Sequence, residues 1–393
     1  MKNIFIILIS ISLSTKAAIY NDSLHNWTFP INYEIQNDLN TTVIKNALEI
    51  IKNNTCLDFK EKSSNESIKS GIIFHTGNSC SFDHIGKKAN NSPNYINITS
   101  DCKNNVPFIQ SLIFYVLGAF PEQTRHDRDS FVSINYTNIK NNIDLTLFNI
   151  SNHQTTSDYD TNYDYGSLLH YYKNDFHRND SFNIINVLKN NSYANFYQLM
   201  IGQKNTITFN DLKLINRRYC NDKCNGIDNP CQNGGYLNPN NCTECICPHP
   251  FTNNCTDLIY GGEVECPQFT VFVGSDTGVE MFGKKKCNRA FQSLYSTKKL
   301  QFILKDLNTT SQLPCARNFS MLEVKYRKNL DVMGLCFCGN INESVGVKVT
   351  SDTNQIYVFY NGDKESDFVR YEIKTLFEDQ SDNNEIKNET KSK

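Results

Sequence analysis

Fifteen cysteines in a chain of 393 residues constrain its folding more than any other feature of the sequence. They form three groups, with four between residues 56 and 220, six between 224 and 255, and five between 266 and 338. Cysteines used in this way are typical of disulfide-bonded chains that fold in an oxidising compartment. The central six lie in a segment with little apolar content, so its fold must depend on cross-links. The spacing therefore predicts three modules, and the odd count leaves one sulfur over.

Charge and apolar content exclude several classes of protein. The 39 Lys and Arg residues are balanced by 41 Asp and Glu residues, which leaves a net charge of −2 and no basic field for nucleic acid or an anionic membrane. Hydrophobic residues make up 39% of the chain, enough for a substantial core. At 20%, charged residues are too few for a disordered polyelectrolyte. Folded domains are therefore expected over most of the length.

The two ends of the chain are predicted to lie outside these domains. A positive start, an apolar stretch at residues 4–14 and small residues after it have the order of a secretory signal, which we assign to residues 1–17. A buried N-terminal strand is the competing interpretation. Residues 378–393 are polar and charged, which is typical of a disordered tail. The longest later apolar run, residues 106–120, is too short to span a bilayer, so a secreted product is expected.

Asn-x-Ser/Thr sequons agree with a secreted product, because glycosylated sequons lie on exposed loops. Abundant Asn also produces such motifs by chance, so the prediction concerns a glycosylated surface more than any single site. The candidates are Asn40, Asn65, Asn97, Asn135, Asn149, Asn179, Asn190, Asn308, Asn318 and Asn342.

The central cysteine group contains two compact motifs, NPCQNGGY at residues 229–236 and CICP at residues 245–248. With them, residues 221–256 resemble an EGF-like domain. Zinc binding is the competing interpretation of Cys-x-x-Cys, but a secreted chain and the Asn-Gly-Gly turn favour disulfides. The resemblance implies the pairs Cys224 with Cys242, Cys231 with Cys245, and Cys247 with Cys255.

The last cysteine group lies among runs of β-branched and aromatic residues separated by polar turns, which predicts an all-β sandwich. The runs are residues 269–273, 300–304, 345–349 and 355–360. Its cysteines suggest the pairs Cys266 with Cys287, and Cys315 with Cys336 or Cys338. Because it follows an EGF-like unit, the block at residues 262–377 resembles a CUB domain, which is a binding module.

The N-terminal region contains a series of motifs in register. The central one is GAFPEQTRHDRD at residues 118–129, and the others are FVSINY at 131–136, YGSLLHY at 165–171, IGQ at 201–203 and FNDLKLINRRYC at 209–220, with Trp27, YEI at 33–35 and TCLDF at 55–59 near the start. Together they resemble the catalytic domain of astacin-type metalloendopeptidases, a family of metzincins. The resemblance implies an α+β domain with two lobes and a cleft over residues 22–220. It also implies the bridges Cys56 with Cys220 and Cys80 with Cys102.

The resemblance assigns roles to four positions near the end of a helix. In the family, two His four residues apart bind zinc, a Glu beside the first acts as the base, and a Gly lets the chain turn to a third His. Counted back from Gly118, the first ligand position falls on Ser111, the base on Leu112 and the second ligand on Tyr115. The third ligand position falls on Pro121.

None of these side chains suits its role. A catalytic zinc site needs about three ligands of the His, Asp, Glu or Cys type, whereas Tyr would have to lose a proton with a pKa of about 10. Tyr171 is retained where the family has a phenol that assists at the metal, and Leu169 replaces the Met beneath it. The helix is apolar almost all round, as expected for a buried helix with no metal site beside it. We therefore predict no zinc and no other cofactor.

These observations lead to a hypothesis and two alternatives for the function. The hypothesis is a secreted pseudoprotease, not an enzyme, that binds an extracellular protein or peptide through its cleft or its CUB-like module. The first alternative is an active secreted zinc metalloendopeptidase, whose helix sequence is misreported or whose ligands come from His84, His126, His153 or His177. The second is a structural matrix or adhesion component.

The odd cysteine can be assigned within the last group. The separation from Cys315 to Cys336 suits the second bridge of a CUB domain better than the separation to Cys338. We therefore predict a bridge between Cys315 and Cys336. Cys338 is then the free or intermolecular thiol, able to link two chains in a dimer.

Overall fold

The computed structural model of the chain describes residues 18–377, apart from residues 64–66, 91, 152–153, 180, 260–265, 267–269 and 311. The predicted signal at residues 1–17, the predicted tail at residues 378–393, the sequon at Asn65 and the candidate ligand His153 lie outside the described residues. Within the described ranges, no helix combines the length and the apolar character needed to cross a bilayer.

The N-terminal region, residues 18–220, mixes helices and strands as predicted. Its helices are α1 (Thr41–Asn54), α2 (Val106–Val116), α3 (Ala194–Tyr197) and α4 (Phe209–Tyr219). Its strands are β1 (Ile19–Tyr20), β2 (Ile31–Ile35), β3 (Phe59–Glu61), β4 (Ile72–Thr76), β5 (Ser81–Phe82), β6 (Asn94–Ile98), β7 (Val132–Ile134), β8 (Thr156–Ser157) and β9 (Ile185–Val187). Short 3-10 turns lie at Glu122–Thr124, Arg128–Ser130, Tyr136–Asn138 and Leu145–Phe148.

The main sheet of this region has the strand order β3-β2-β4-β6-β5. β5 is antiparallel to β6 at one edge, and the other pairs are parallel. Helix α1 covers the sheet with an amphipathic face, because its buried residues Ile44, Ala47, Leu48 and Ile51 recur every three or four positions. The sheet, α1 and α2 form the upper lobe, residues 18–118.

Helix α2 is buried because its sequence is apolar nearly all round. The side chain of Asn105 caps its start by accepting a hydrogen bond from the Phe108 backbone N–H, and Pro107 occupies the first turn, where no N–H is needed. Every residue from position 109 to 116 is buried. The chain then turns at Gly118, whose φ of 100° favours glycine.

The lower lobe, residues 119–208, contains short strands and turns with a core of aromatic residues. Tyr163, Tyr165 and Tyr197 are almost fully buried in it. Its buried apolar residues belong to one cluster with those of the C-terminal part of the chain, whereas the upper lobe has a separate cluster that includes Leu169 and helix α4. The lower lobe therefore shares its core with another module.

Two further modules follow. The middle segment, residues 221–259, consists of two small hairpins, in which β10 (Tyr236–Asn238) pairs with β11 (Asn241–Ile246) and β12 (Phe251–Thr252) pairs with β13 (Asp257–Leu258). The C-terminal β-block, residues 270–377, contains β14 (Thr270–Val273), β15 (Asp276–Phe282), β16 (Lys286–Ser293), β17 (Leu300–Asn308), β18 (Met321–Lys325), β19 (Leu335–Phe337), β20 (Asn340–Ile341), β21 (Lys348–Thr350), β22 (Gln355–Asn361) and β23 (Phe368–Thr375).

The C-terminal β-block is built from two sheets, with strand orders β14-β16-β22-β18-β19 and β15-β23-β17-β20, and β21 pairs with β17. Alternating buried residues along β23 face the same cluster as those of β22. Three of the predicted strand-like runs correspond to β14, β17 and β22. The fourth, residues 345–349, is a strand only at its end, because Val345 closes a 3-10 turn and Gly346 has a φ of 66°.

Seven disulfides join described cysteines, and six of them are the pairs expected from the sequence. These are Cys56–Cys220, Cys80–Cys102, Cys224–Cys242, Cys231–Cys245, Cys247–Cys255 and Cys266–Cys287.

The seventh disulfide corrects the prediction for the last group. Cys315 is bonded to Cys338, with their Cα atoms 6.0 Å apart, and Cys336 is the free thiol. Cys336 lies in β19 and its side chain points into the core, where it is 0% exposed. Cys338 lies just past the end of that strand, where its sulfur reaches Cys315. The predictions of a Cys315 to Cys336 bridge and of an intermolecular thiol at Cys338 are therefore wrong.

The predicted glycosylation sites differ in exposure. Among the described candidates, Asn40, Asn149, Asn179, Asn190, Asn318 and Asn342 are exposed, whereas Asn97, Asn135 and Asn308 are half-buried.

Candidate functional site

Ser111 and Leu112 lie on helix α2 where it borders the space between the lobes. The Ser111 hydroxyl donates a 2.6 Å hydrogen bond to the Phe108 carbonyl of its own helix, and the side chain is 1% exposed. Leu112 is 3% exposed and belongs to the upper-lobe cluster. The hydroxyl is therefore used within the helix, and the leucine packs as a core residue.

Tyr115 fills the position of the second predicted ligand. Its ring stacks on Phe82 at 4.6 Å between centroids, and its hydroxyl donates to the Leu169 carbonyl at 3.0 Å. Complete burial raises the pKa of this phenol well above its usual value, and the nearby Tyr171 and Asp175 raise it further. The side chain is thus a neutral hydrogen-bond donor that bridges the two lobes.

Pro121 and Tyr171 lie on the lower lobe. Pro121 is buried and precedes the 3-10 turn Glu122–Thr124, whose Thr124 N–H and hydroxyl both donate to the Pro121 carbonyl. The Tyr171 ring makes edge contacts with Phe148 and Phe176. Burial raises the pKa of the Tyr171 phenol, so it is neutral at physiological pH.

The turn at residues 164–171, named the floor turn, lies below α2 and contacts it through Tyr115. Helix α4 holds it from one side, because the Asp211 carboxylate accepts from the Ser167 hydroxyl at 2.6 Å and from the Leu168 N–H at 2.9 Å. The same carboxylate closes a capping box with Thr208 at the start of α4. One buried carboxylate therefore fixes both the helix end and the turn.

Three more side chains hold the floor turn. The Gln203 side chain donates to the Gly166 carbonyl at 2.7 Å, and the Gln123 side chain accepts from the Tyr171 N–H at 2.9 Å. The Lys204 ammonium donates to the Leu168 carbonyl and, at 3.0 Å, to the His170 carbonyl. The backbone of the turn is therefore tied down from several elements at once.

His170 uses both nitrogens inside the protein. Nδ1 lies 2.9 Å from the Tyr171 carbonyl, so it must carry the proton, and Nε2 lies 2.8 Å from the Tyr163 hydroxyl, from which it accepts. Burial lowers the pKa of His170 to about 4, although the hydrogen bond to Tyr171 opposes that shift. The imidazole is neutral and has no nitrogen left for a metal.

The space between the lobes is a cleft with a volume of about 820 Å³. Apolar side chains from both lobes line it, among them Phe82, Phe108, Leu147, Ile150 and Phe176. Leu147, Ile150 and Phe176 are each more than one-third exposed, which leaves an apolar rim open to solvent. A cleft of this size and character suits a ligand with apolar groups.

Two charged side chains, Lys204 and Asp175, lie in the same cleft. Burial lowers the pKa of the lining residue Lys204 to about 8, against the opposing influence of Asp175 and Asp211. Burial raises the pKa of Asp175, another lining residue, whose carboxylate accepts from the Tyr172 N–H at 2.8 Å. The cleft therefore combines an apolar lining with one half-buried cation and one half-buried acid.

The residues at the predicted zinc position do not fit zinc. Ser111 is engaged by its own helix, Tyr115 is a neutral donor, and Pro121 has no side-chain donor atom. Among the residues that the structure describes, no group of three or more His, Cys, Asp or Glu side chains could hold a metal ion. His84, His126 and His177 are therefore not brought together as a replacement set. We derive no chemical step through a metal at this site.

Comparisons with known proteins place this cleft in a family. The model of the astacin family, described as a peptidase family, matches residues 19–220, just over half of the chain. The chain belongs to the astacin family. The match covers both lobes and helix α4, so the cleft described above is the cleft of an astacin-family domain.

Named relatives extend the similarity beyond that domain. The zinc metalloproteinase nas-34 of Caenorhabditis elegans is 30% identical over 342 residues, which cover 86% of this chain and 53% of that protein. The zinc metalloproteinase dpy-31 of Brugia malayi is 32% identical over 229 residues, covering 57% of this chain and 36% of that protein. The chain thus spans about half, or less, of the length of these relatives.

A solved structure is also similar. The medaka (Oryzias latipes) high choriolytic enzyme 1, a hatching enzyme zinc-protease, matches at 25% sequence identity with a TM-score of 0.41, covering 51% of this chain and 92% of that one.

These findings correct the prediction that the chain is not an enzyme. The matched model is that of a peptidase family, and the relatives are named zinc metalloproteinases. The prediction was drawn from four side chains near α2, whereas the family is carried by the whole N-terminal region. The chain therefore belongs to a peptidase family, and any function of its own has to use the side chains that stand around α2.

Several residues of the cleft were not predicted from the sequence. Lys204 directly follows the family-like residues 201–203, and that adjacency is the one signal that could have indicated it. Leu147, Ile150 and Phe176 come from segments without a periodic pattern, so nothing in the sequence places them in the cleft. Phe82 belongs to a two-residue strand, too short to be found by alternation.

Proposed function

We propose that the cleft of this astacin-family protein binds an extended segment of an extracellular polypeptide. The observation that carries the proposal is the position of β5, which forms the edge of the main sheet while Ser81 and Phe82 line the cleft. An edge strand can accept an extended chain through backbone hydrogen bonds, in the manner of β-augmentation.

The apolar lining suggests which side chains such a segment carries. Phe82, Leu147, Ile150 and Phe176 line the space between the lobes, so an aromatic or large aliphatic side chain would bury its surface there. Lys204 and Asp175 provide the polar contacts, but both are partly committed to the protein. Affinity is therefore expected to depend mainly on apolar contact.

A peptide-binding experiment tests this proposal. Fluorescein-labelled decapeptides that differ only in a central Phe, Ala, Asp or Lys are titrated with the full chain and followed by fluorescence anisotropy. The Phe peptide is expected to bind at least about tenfold more tightly than the Asp peptide. Equal binding of all four, or binding of none, would overturn the proposal.

The chain offers a matched pair of variants for the same measurement. Leu147 and Leu145 lie on one 3-10 turn, but Leu147 lines the cleft and Leu145, which is 49% exposed, does not. Leu147→Asp should weaken the Phe peptide about tenfold, and Leu145→Asp should change it less than about twofold. The same loss in both variants would mean that the binding surface lies outside the cleft.

Binding of this kind needs no metal ion, and we propose none for it. The support is that Ser111, Tyr115 and Pro121 offer no set of zinc ligands. Titration in the presence and absence of a chelator tests this point, and the expected Kd is the same in both.

Proteolysis is the second candidate function, because the family match and the relatives named zinc metalloproteinases favour it. It is tested by incubating denatured protein substrate with the chain, with and without chelator, while zinc content is measured by atomic spectroscopy. Chelator-sensitive cleavage with stoichiometric zinc would establish proteolysis and would require ligands other than those at α2.

We also propose a secreted glycoprotein with an EGF-like middle module at residues 221–256 and a CUB-like module at residues 262–377 that add binding surface. The disulfides of both segments and the two-sheet architecture of the second support this. Expression in secretory cells tests it: the product should appear in the medium, begin after residue 17 and lose mass when treated with a glycosidase.

A further inference from the structure

The loop at residues 330–334 of the C-terminal β-block, named the docking loop, is buried against the N-terminal region. Leu330, Asp331, Val332 and Met333 are each at most 7% exposed. A loop between two strands is ordinarily on the surface, because its backbone polar groups need partners. The polar groups of this loop have such partners, some in the C-terminal β-block and some in the N-terminal region.

From its own side, the C-terminal β-block holds the docking loop with buried charges. The Lys325 ammonium donates to the Leu330 and Val332 carbonyls, and the Glu323 carboxylate accepts from the Gly334 N–H at 2.6 Å. Glu323 itself accepts from Nε and Nη2 of the Arg317 guanidinium, at 2.5 and 2.6 Å. The C-terminal β-block therefore fixes the backbone of the loop through charge-assisted hydrogen bonds of its own.

From the other side, the docking loop binds the start of the floor turn. The Met333 N–H lies 3.3 Å from each carboxylate oxygen of Asp164, which also accepts from the Gly166 N–H at 2.9 Å. The Met333 side chain packs so closely on the turn that a Cβ at Gly166 would lie 2.4 Å from its sulfur. One carboxylate thus joins the docking loop to the floor turn.

A buried ion pair reinforces this contact. The Asp331 carboxylate accepts from the Lys213 ammonium of helix α4 at 3.1 Å and from the Asn162 side chain, just before the floor turn. The two charged side chains are 2% and 10% exposed, so removing one partner leaves the other charged and buried. Around the pair, the lower lobe and the C-terminal β-block share one hydrophobic cluster.

The floor turn carries this contact to the cleft. Its Leu169 carbonyl accepts from Tyr115, and Tyr171 lines the cleft wall. We propose that Met333 and Asp331 of the docking loop are positioning residues for the cleft, so that polypeptide binding between the lobes requires the C-terminal β-block to be docked. The inference rests on the proposed function. It gives the C-terminal β-block a role in forming the cleft, in addition to any contact that the block itself makes with the bound polypeptide.

Two methionines of the C-terminal β-block provide a matched test. Met333 and Met281 are 3% and 4% exposed, but Met281 lies in β15 within the block. Met333→Ala and Met281→Ala remove the same atoms, and both are expected to lower thermal stability. Hydrogen exchange of peptides covering residues 164–171 and the Kd of the Phe decapeptide are measured for the full-length chain and each variant.

Met333→Ala is expected to speed exchange in the floor turn at least about tenfold and to raise the peptide Kd by a similar factor. Met281→Ala should change both less than about twofold, and Met333→Leu should restore both. Equal effects of the two alanine variants, or no effect of Met333→Ala, would overturn the inference.

If the Met333 variant does not fold, Asp331→Asn keeps the volume and carries the same expectation. Exchange in the floor turn is measured without ligand. If the wild-type chain binds no peptide, the proposed function fails, but the exchange measurement still tests whether the docking loop holds the floor turn.

Discussion

Helix α2 and the floor turn meet at the bottom of the cleft, but they differ in how their polar groups are used. At α2 the predicted ligand and base positions hold Ser111, Leu112 and Tyr115, which pack or make a single hydrogen bond each. The floor turn is held by side chains from the Glu122–Thr124 turn, the segment before α4 and α4 itself, and by the Met333 backbone N–H of the C-terminal β-block. The α2 positions, named the α2 wall, therefore make few polar contacts, whereas the floor turn is hydrogen-bonded from several elements.

The difference shows which parts of such a site can change together. A group of polar side chains can be replaced by apolar ones at little cost when all partners change at once, whereas loss of one partner leaves a buried polar group unsatisfied. The α2 wall meets the first condition, because Ser111, Leu112 and Tyr115 lie on one helix and none of these side chains is the hydrogen-bond partner of another. The floor turn meets the second, because Asp211 and Gln203 also hold neighbouring segments through Thr208 and Thr206. Most hydrogen bonds of the floor turn thus do not depend on which side chains stand at the predicted ligand positions of α2.

The largest expected effect comes from removing the central partner of the floor turn. Asp211→Ala would leave the Ser167 hydroxyl and the Leu168 and Thr208 N–H groups without their acceptor. The free energy of unfolding in urea should fall by about 3–5 kcal/mol. The exposed Asp222→Ala serves as control and should change it by less than about 0.5 kcal/mol. A loss below about 1 kcal/mol for Asp211→Ala would mean that the floor turn depends on its polar contacts no more than the α2 wall does.

A pH titration tests the floor from another direction. The pKa of His170 is about 4 in the folded protein against an ordinary value of 6.5, so between these values the unfolded chain binds a proton that the folded chain does not. Its contribution to stability is complete above pH 6.5 and is lost as pH falls toward 4, by about 3 kcal/mol in all. Unfolding free energies measured from pH 7 to 4 should therefore fall more steeply for the wild type than for His170→Gln. Identical pH profiles would show that the imidazole is not held neutral as the structure indicates.

The contact between wall and floor should have an intermediate effect. Tyr115→Phe keeps the stacking on Phe82 but leaves the buried Leu169 carbonyl without its donor. Thermal and urea unfolding should show a loss of about 1–2 kcal/mol. Tyr95→Phe changes an exposed ring of the same lobe and should leave the free energy of unfolding almost unchanged. Equal stability of the two variants would mean that the hydroxyl contact contributes nothing.

The smallest effect is expected within the wall itself. Ser111→Ala removes a hydroxyl that donates only to its own helix, and alanine is the better helix former. Stability should stay within about 0.5 kcal/mol of the wild type by urea unfolding. A loss above about 1 kcal/mol would indicate that the wall depends on polar contacts as the floor does.

Much of the scaffold could be predicted from the sequence. The apolar run after Asn105 and Pro107 predicts a buried helix, and the structure has α2 there with its cap in place. The family-like segments predicted the α+β domain. The resemblances to the astacin family and to an EGF-like domain implied five of the seven bridges, and the cysteines of the last group suggested a sixth. These features depend on local pattern and on motifs, which a single sequence contains.

The cleft could be predicted less completely. The positions Ser111, Leu112, Tyr115 and Pro121 were placed on the correct element, but their contacts were not foreseen, because Tyr115 meets Leu169 across 54 residues. The apolar rim at Leu147, Ile150 and Phe176 comes from irregular segments, where no periodicity signals burial. The prediction that the chain is not an enzyme was also wrong, because it gave four side chains more weight than the family of the whole domain.

The sequence by itself determined the three cysteine groups, the resemblance to the astacin family and the side chains that stand at the α2 positions. Only the tertiary structure decided which of two cysteines is free and how the C-terminal β-block meets the cleft. Cys336 and Cys338 are two residues apart, so separation from Cys315 cannot distinguish them, whereas burial in β19 places only one sulfur toward the core. The docking loop contacts Asp164 across 169 residues, and contacts at such a distance along the chain are fixed by packing.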